Sequence, residues 1–171
     1  MGSLTPRQDG QHEPVDRTQG DPIRVLLVED HPGFRLVLRA LLETDERLIV
    51  IGDVGSADEA YEHPLLDHAD VAVVDIGLPG TTGIEATKRL RRLNTALRVL
   101  IMSGSGYDRA ADTALEAGAD AYLEKGGLHH DLIEAIVDAG ERGRTSKGPK
   151  AHRDLNPARL PVPPRPRRFT D

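Results

Sequence analysis

The chain has 171 residues, 38% of them hydrophobic and 29% charged, with a net charge of −6 and no cysteine. That composition supplies apolar material for one domain-sized core; it excludes a wholly disordered chain, a disulfide framework, a thiol nucleophile and cysteine-ligated zinc. No apolar run reaches the roughly 18 residues a membrane span needs, and the N-terminus lacks the apolar stretch of a secretory signal, so the sequence reads as a soluble, cytoplasmic protein.

In chain order, residues 1–21 carry Pro6, Gly10, Pro14 and Gly20 among few apolar side chains. They read as a disordered leader. Met1-Gly2 begins like a myristoylation site, but Pro6 stands where that motif needs Ser or Thr. Residues 22–143 form the expected folded unit, with 12 basic and 22 acidic side chains. An acidic body of this kind does not present a nucleic-acid surface. Residues 144–171 carry 8 basic and 2 acidic side chains and six of the twelve prolines, ending in the Pro161–Pro166 run. This basic tail reads as disordered and extended, because it cannot bury enough apolar surface to offset its ordering entropy. It shows no helical periodicity, so no helix-turn-helix follows and specific DNA binding is not expected of this chain.

Between leader and tail, β-rich runs fall at Ile23–Val28, Leu48–Val54, Val71–Val74, Val99–Met102 and Ala121–Leu123. The first four are nearly continuous in Val, Ile and Leu, as strands buried on both faces of a parallel sheet require. Helical stripes alternate with them. Phe34, Val37, Leu38, Leu41 and Leu42 mark the first, and Ile84, Leu90 and Leu93 the third. Ala110, Ala114, Leu115 and Ala117 mark the fourth, which Gly118 ends, and Leu128, Leu132, Ile133, Ile136 and Val137 mark the fifth. The second helix, over Asp58 to Leu66, contains Pro64 and is expected to be short or kinked. Five β-α units in succession predict an α/β layer structure with right-handed crossovers, whose ligands sit beyond the carboxyl ends of the strands.

Those ends are informative. They read Val28-Glu29-Asp30, Val74-Asp75, Met102-Ser103-Gly104 and Leu123-Glu124-Lys125. Converging on one rim, Glu29, Asp30 and Asp75 would repel one another and need a cation; an all-oxygen donor set suits Mg2+. Lys125 adds an ammonium and Ser103 a hydroxyl, which together suit a phosphoryl group. Each residue alone has a plainer reading: acids near a helix N-terminus, a turn aspartate, a loop serine, a solvated lysine, a strand aromatic at Tyr122. The adjacent His129 and His130 point about 100° apart on a helix and make a poor chelate. The other histidines show no zinc spacing, and Gly104-Ser105-Gly106 lacks the length and lysine of a phosphate loop.

Four pieces in order carry a resemblance. They are Leu27-Val28-Glu29-Asp30-His31-Pro32; Val73-Val74-Asp75-Ile76-Gly77-Leu78-Pro79-Gly80-Thr81-Thr82-Gly83; Leu100-Ile101-Met102-Ser103-Gly104; and Gly118-Ala119-Asp120-Ala121-Tyr122-Leu123-Glu124-Lys125. From Ile23 to about Arg142 the chain resembles the receiver domain of a two-component response regulator. Gly126 after Lys125 leans toward the branch that usually carries a helix-turn-helix output. The resemblance implies a doubly wound five-stranded parallel sheet, flavodoxin-like in the order 2-1-3-4-5, with helices on both faces. It implies Asp75 as the acceptor of a phosphoryl group from a sensor histidine kinase. It further implies Mg2+ held by Asp30 and Asp75, by Glu29 through water, and by the Gly77 carbonyl. Lys125 would bind a phosphoryl oxygen, and Ser103 would move toward the phosphate and draw Tyr122 inward.

The expected function is therefore a phosphorylation-dependent signalling receiver, stand-alone or without its output, with at most weak autophosphatase activity and possible pairing into homodimers. A receiver-like module that signals without phosphorylation is the alternative. A phosphatase of the haloacid dehalogenase kind is disfavoured, because Asp75-Ile76-Gly77 lacks a second aspartate two residues on. The small Gly77 and Ser105, two positions past the acceptor and the hydroxyl, imply a site open to water and a short-lived aspartyl phosphate.

Overall fold

The computed structural model describes residues 20–104, 109–127 and 129–145. Residues 1–19 of the expected leader, the tail from 146 with its Pro161–Pro166 run, Ser105, Leu128 and the His129 side chain lie outside the described residues.

The chain alternates strand and helix throughout. The elements are β1 (Ile23–Val28), α1 (Pro32–Leu42), β2 (Leu48–Val54), α2 (Ala57–Tyr61), β3 (Val71–Asp75), α3 (Gly83–Leu93), β4 (Arg98–Ser103), α4 (Arg109–Glu116), β5 (Ala121–Glu124) and α5 (His129–Thr145). All pairings are parallel and the strand order is β2-β1-β3-β4-β5. The order reverses between β1 and β3, which opens a crevice at their carboxyl ends.

The strands follow from their composition. Every residue of β3 is buried, so a hydrophobic side chain finds a core on either face. Alternate residues serve alternate layers. Val25, Leu27, Val73, Leu100 and Met102 pack with Leu38 and Leu42 of α1 and Leu132, Ile136 and Val137 of α5. On the opposite face Ile101 and Tyr122 pack with Ala111 and Ala114 of α4, where small side chains bring helix and sheet close. Each fully buried Leu or Ile contributes about 1.5–3 kcal/mol.

Helix ends are set by local chemistry. Pro32 occupies the first turn of α1, and His31 caps it by accepting the Phe34 N–H at Nδ1 (3.1 Å). Thr82 and Glu85 form a reciprocal capping box at α3. Gly118, at φ +99°, makes the left-handed turn after α4. The expected weak second helix is confirmed as such. It stops at Tyr61, three residues before Pro64, and the chain resumes as a short 3-10 turn over Leu66–His68. The fifth helix runs through Thr145, two residues past the expected end of the folded segment, and Arg144 donates to the Asp21 carbonyl at 2.7 Å.

Candidate functional site

The rim formed by the carboxyl ends of β1, β3, β4 and β5 collects the residues singled out in the sequence. Glu29 leaves β1 with its N–H bonded to the Val54 carbonyl (3.0 Å) and only 2% of its surface exposed. Asp75 is the last residue of β3, also buried, and the next residue's N–H bonds to Met102 O (2.9 Å). Asp30 is exposed. One carboxylate oxygen from each of the three lies within 4.8 Å of the others.

Lys125 reaches into this group. Its ammonium lies 2.8 Å from Glu29 Oε2 and 3.1 Å from Asp75 Oδ2. Burial by itself would lower its pKa; the hydrogen bonds to Glu29 and Asp75, with their charges, outweigh that and raise it above the ordinary lysine value. The Lys125 N–H bonds to Ser103 O at 2.8 Å, which ties the loop after β5 to the end of β4. The remaining Glu29 oxygen, Oε1, accepts the His31 N–H (3.1 Å).

Three carboxylates and one ammonium leave a pocket two charges negative when all are ionised. The donors are all oxygen. That set fits a hard divalent cation such as Mg2+, with Glu29, Asp30 and Asp75 as the residues that would hold it.

Gly77 lies directly against the Asp75 carboxylate: a Cβ built there would stand 3.6 Å from Asp75 Oδ2. Ser103 is buried one residue beyond Met102, the β4 partner of Asp75. Period-two alternation places it on the same face as Ile101, whose β5 partner is Tyr122. The tyrosine ring is inside, 5% exposed, among Ile101, Ala111, Ala114 and Ala119. Glu29, Asp30, Asp75, Lys125 and Ser103 are thus brought to one rim, and Tyr122 sits behind it toward α4.

Several contributors are not visible as such in the sequence. Gly83 opens α3, and a Cβ there would stand 2.4 Å from the Asp75 carbonyl oxygen and 2.7 Å from Ile76 Cα, so only glycine lets α3 start this close to the end of β3. The Phe34 ring lies 4.8 Å from the Lys125 ammonium, a cation–π contact that supports the lysine. Arg35 bonds the Glu29 carbonyl. His31 is engaged as a helix cap rather than presented as an additional ligand. A glycine, an aromatic and an arginine on a helix stripe carry no signal of this kind until the helix is docked. The acids at the opposite rim are of another sort: Asp70 binds the Arg24 N–H and guanidinium, and Asp120 binds the Val99 N–H and Arg98, tying strand beginnings together.

The family model described as the response regulator receiver domain matches residues 25–137. A nitrate/nitrite response regulator protein homolog of Haemophilus influenzae is 34% identical over 116 residues, covering 68% of this chain and 56% of that protein. The DNA-binding transcriptional activator DevR/DosR of Mycobacterium tuberculosis is 37% identical over 118 residues, covering 69% of this chain and 54% of that protein. The crystal structure of a LuxR-family two-component response regulator from Aurantimonas superposes with a TM-score of 0.67 at 34% identity, covering 71% of this chain and 87% of that one. The chain spans about half the length of the curated relatives it matches.

Proposed function

Because this chain belongs to the response regulator receiver family of two-component systems, we propose that it accepts a phosphoryl group on Asp75 from the phosphohistidine of a sensor kinase, in a reaction that needs Mg2+. The observation that carries this reading is the placement of the Asp75 carboxylate at a strand end, 3.1 Å from the Lys125 ammonium and beside Glu29 and Asp30.

In the step, an Asp75 carboxylate oxygen forms a bond to phosphorus. The phosphorus–nitrogen bond of the donor breaks, and its electron pair stays on the imidazole nitrogen. Mg2+ bound among the carboxylates would supply neutralising charge for the phosphoryl oxygens. Lys125 serves the same end from the loop after β5, and its pairing with both carboxylates holds the ammonium where a phosphoryl oxygen would arrive. Glu29 is pinned by backbone and side-chain bonds, which limits the reorganisation needed when charge arrives. Ser103 offers a hydroxyl at the neighbouring strand end, and Tyr122 is the packed element whose surroundings would change with it.

The donor must approach from the open rim. There α1 presents Val37, 58% accessible, on a cleft of about 260 Å³ lined also by Phe34, Leu38, Leu41, Leu123 and Leu132, with Lys125 on its wall. An apolar helix face beside a charged pocket suits a helical kinase partner. No helix among the described residues is long and apolar enough to cross a membrane; the reading places the protein in the cytoplasm, where ATP-charged kinases present their phosphohistidine. Every α-helix among the described residues belongs to one of the five β-α units, so the phosphorylated receiver is read as acting through a protein contact rather than by specific DNA binding of these residues.

The test is labelling by a small acyl phosphate with Mg2+. Wild-type protein should gain one phosphoryl group that alkali and hydroxylamine remove, as expected of an acyl phosphate, and Asp75→Asn none. An unlabelled wild type, or equal labelling of Asp75→Asn, refutes the assignment.

A further inference from the structure

We propose that Arg35 is a positioning residue for the cation pocket: its guanidinium clamps the backbone that presents Glu29 and Asp30. The inference rests on the reading that those carboxylates hold Mg2+. Arg35 lies on α1, and its guanidinium has two anchors. Nη1 donates to the Glu29 carbonyl, and Nε lies 3.4 Å from Asp53 Oδ1 near the end of β2. The side chain is four-fifths shielded from water, and its far end lies against Gly55, where a Cβ would stand 3.4 Å from Nη1.

Glu29 is thereby fixed at every polar group. Its N–H bonds Val54, its carbonyl accepts from Arg35, Oε1 accepts from the His31 N–H and Oε2 meets Lys125. The carbonyl bond is the one that orients the Glu29–Asp30 peptide, and so sets where the exposed Asp30 carboxylate projects. Neither Glu29 nor Asp30 needs Arg35 as a charge partner; their carboxylates make their contacts elsewhere or face the pocket.

Charge and geometry make opposite predictions, which renders the proposal decidable. A guanidinium near three carboxylates repels a divalent cation, so by charge alone its loss would tighten Mg2+. As a clamp, its loss frees the peptide and weakens Mg2+. Arg39 provides the control. It bonds Asp53 and Glu43 from the next turn of α1 and makes no contact with Glu29.

Mg2+ alone is titrated into the isotope-labelled full chain at constant ionic strength, following backbone amide resonances after β1 and β3. Melting temperature is measured in parallel, and acyl-phosphate labelling is followed as a function of Mg2+. Arg35→Gln is expected to lose about tenfold in Mg2+ affinity, the loss typical when a group that orients a metal ligand is removed. Arg35→Lys, which retains the charge but not the fork, should lose part of that. Arg39→Gln should bind Mg2+ as the wild type or slightly more tightly. Labelling by Arg35→Gln should need more Mg2+ for half-saturation and reach nearly the wild-type maximum. Unchanged or tighter Mg2+ binding by Arg35→Gln, or equal weakening by Arg39→Gln, overturns the clamp while leaving the proposed function standing. A wild type that binds no Mg2+ overturns both. Should Arg35→Gln fail to fold, Arg35→Lys decides by the same comparison.

Discussion

Replacing Lys125 by Met isolates what the ammonium does for the folded protein. Methionine keeps an unbranched side chain on the cleft wall that Phe34 shares and removes the charge, with its contact to the Phe34 ring. In the wild type, separations of 2.8 and 3.1 Å to Glu29 and Asp75 correspond to gross Coulomb terms of about 6 and about 5 kcal/mol at an effective dielectric of ~20. Most of that is offset by desolvation. Removing one partner of a fully buried pair costs about 3–5 kcal/mol, and here the Lys125 side chain is 21% exposed, so water screens the orphaned carboxylates. The expected loss is about 2 kcal/mol without Mg2+, or a fall in Tm of about 8 °C for a domain of this size. Mg2+ should then stabilise the variant more than the wild type, because its pocket is one charge more negative. At ten times Kd the cation contributes about 1.4 kcal/mol. Melting curves of both proteins, with and without saturating Mg2+, provide the measurement, and labelling by acyl phosphate should fall sharply in the variant. Equal Tm values without Mg2+, or equal Mg2+ stabilisation of the two, would refute the view that Lys125 neutralises this pocket.

Two further outcomes are expected. Gly77→Asn places a Cβ 3.6 and 3.9 Å from the two Asp75 oxygens, ordinary contact distances, at a position without positive φ; the amide then covers the approach of water, and decay of the labelled protein should slow severalfold. An unchanged decay rate would show that water reaches the site by another path. His63 is pushed below the ordinary histidine pKa by burial, opposed by the Asp53 charge, and its Nδ1 accepts the Leu65 N–H at 3.2 Å. The unfolded chain therefore binds the proton first as pH falls. The stability contributed by neutral His63 is complete above about pH 6.5 and is lost as pH drops through that value toward the folded pKa. His63→Asn retains an acceptor and should flatten the pH dependence of the urea midpoint between pH 7 and 5; an unaltered slope would assign that dependence to other groups.

Strand positions were legible to within a residue, since Leu26, Val73 and Leu100 belong to runs too apolar for anything but a doubly covered sheet. The break at Pro64 was legible because proline cannot continue a helix. Glu29, Asp30, Asp75, Ser103 and Lys125 were legible as strand-end residues, and the family resemblance supplied the roles now proposed for them. Phe34 and Arg35 were not. Both sit on α1, where an aromatic reads as core and an arginine as solvated surface. Only the docking of α1 against the ends of β1 and β2 turns one into a support for Lys125 and the other into a bond on the Glu29 carbonyl. Gly83 likewise reads as an ordinary turn glycine until α3 is docked, where a Cβ at this position would stand 2.4 Å from the Asp75 carbonyl oxygen.

Local pattern thus determined which segments are strands and helices and which side chains stand at strand ends, because periodicity and turn chemistry act over a few residues. The tertiary structure decided the distances: that the carboxylates of residues 29, 30 and 75 lie within 4.8 Å of one another, and that the 125 ammonium bridges two of them. Those distances arise from packing between elements tens of residues apart in the chain, and no local pattern encodes them.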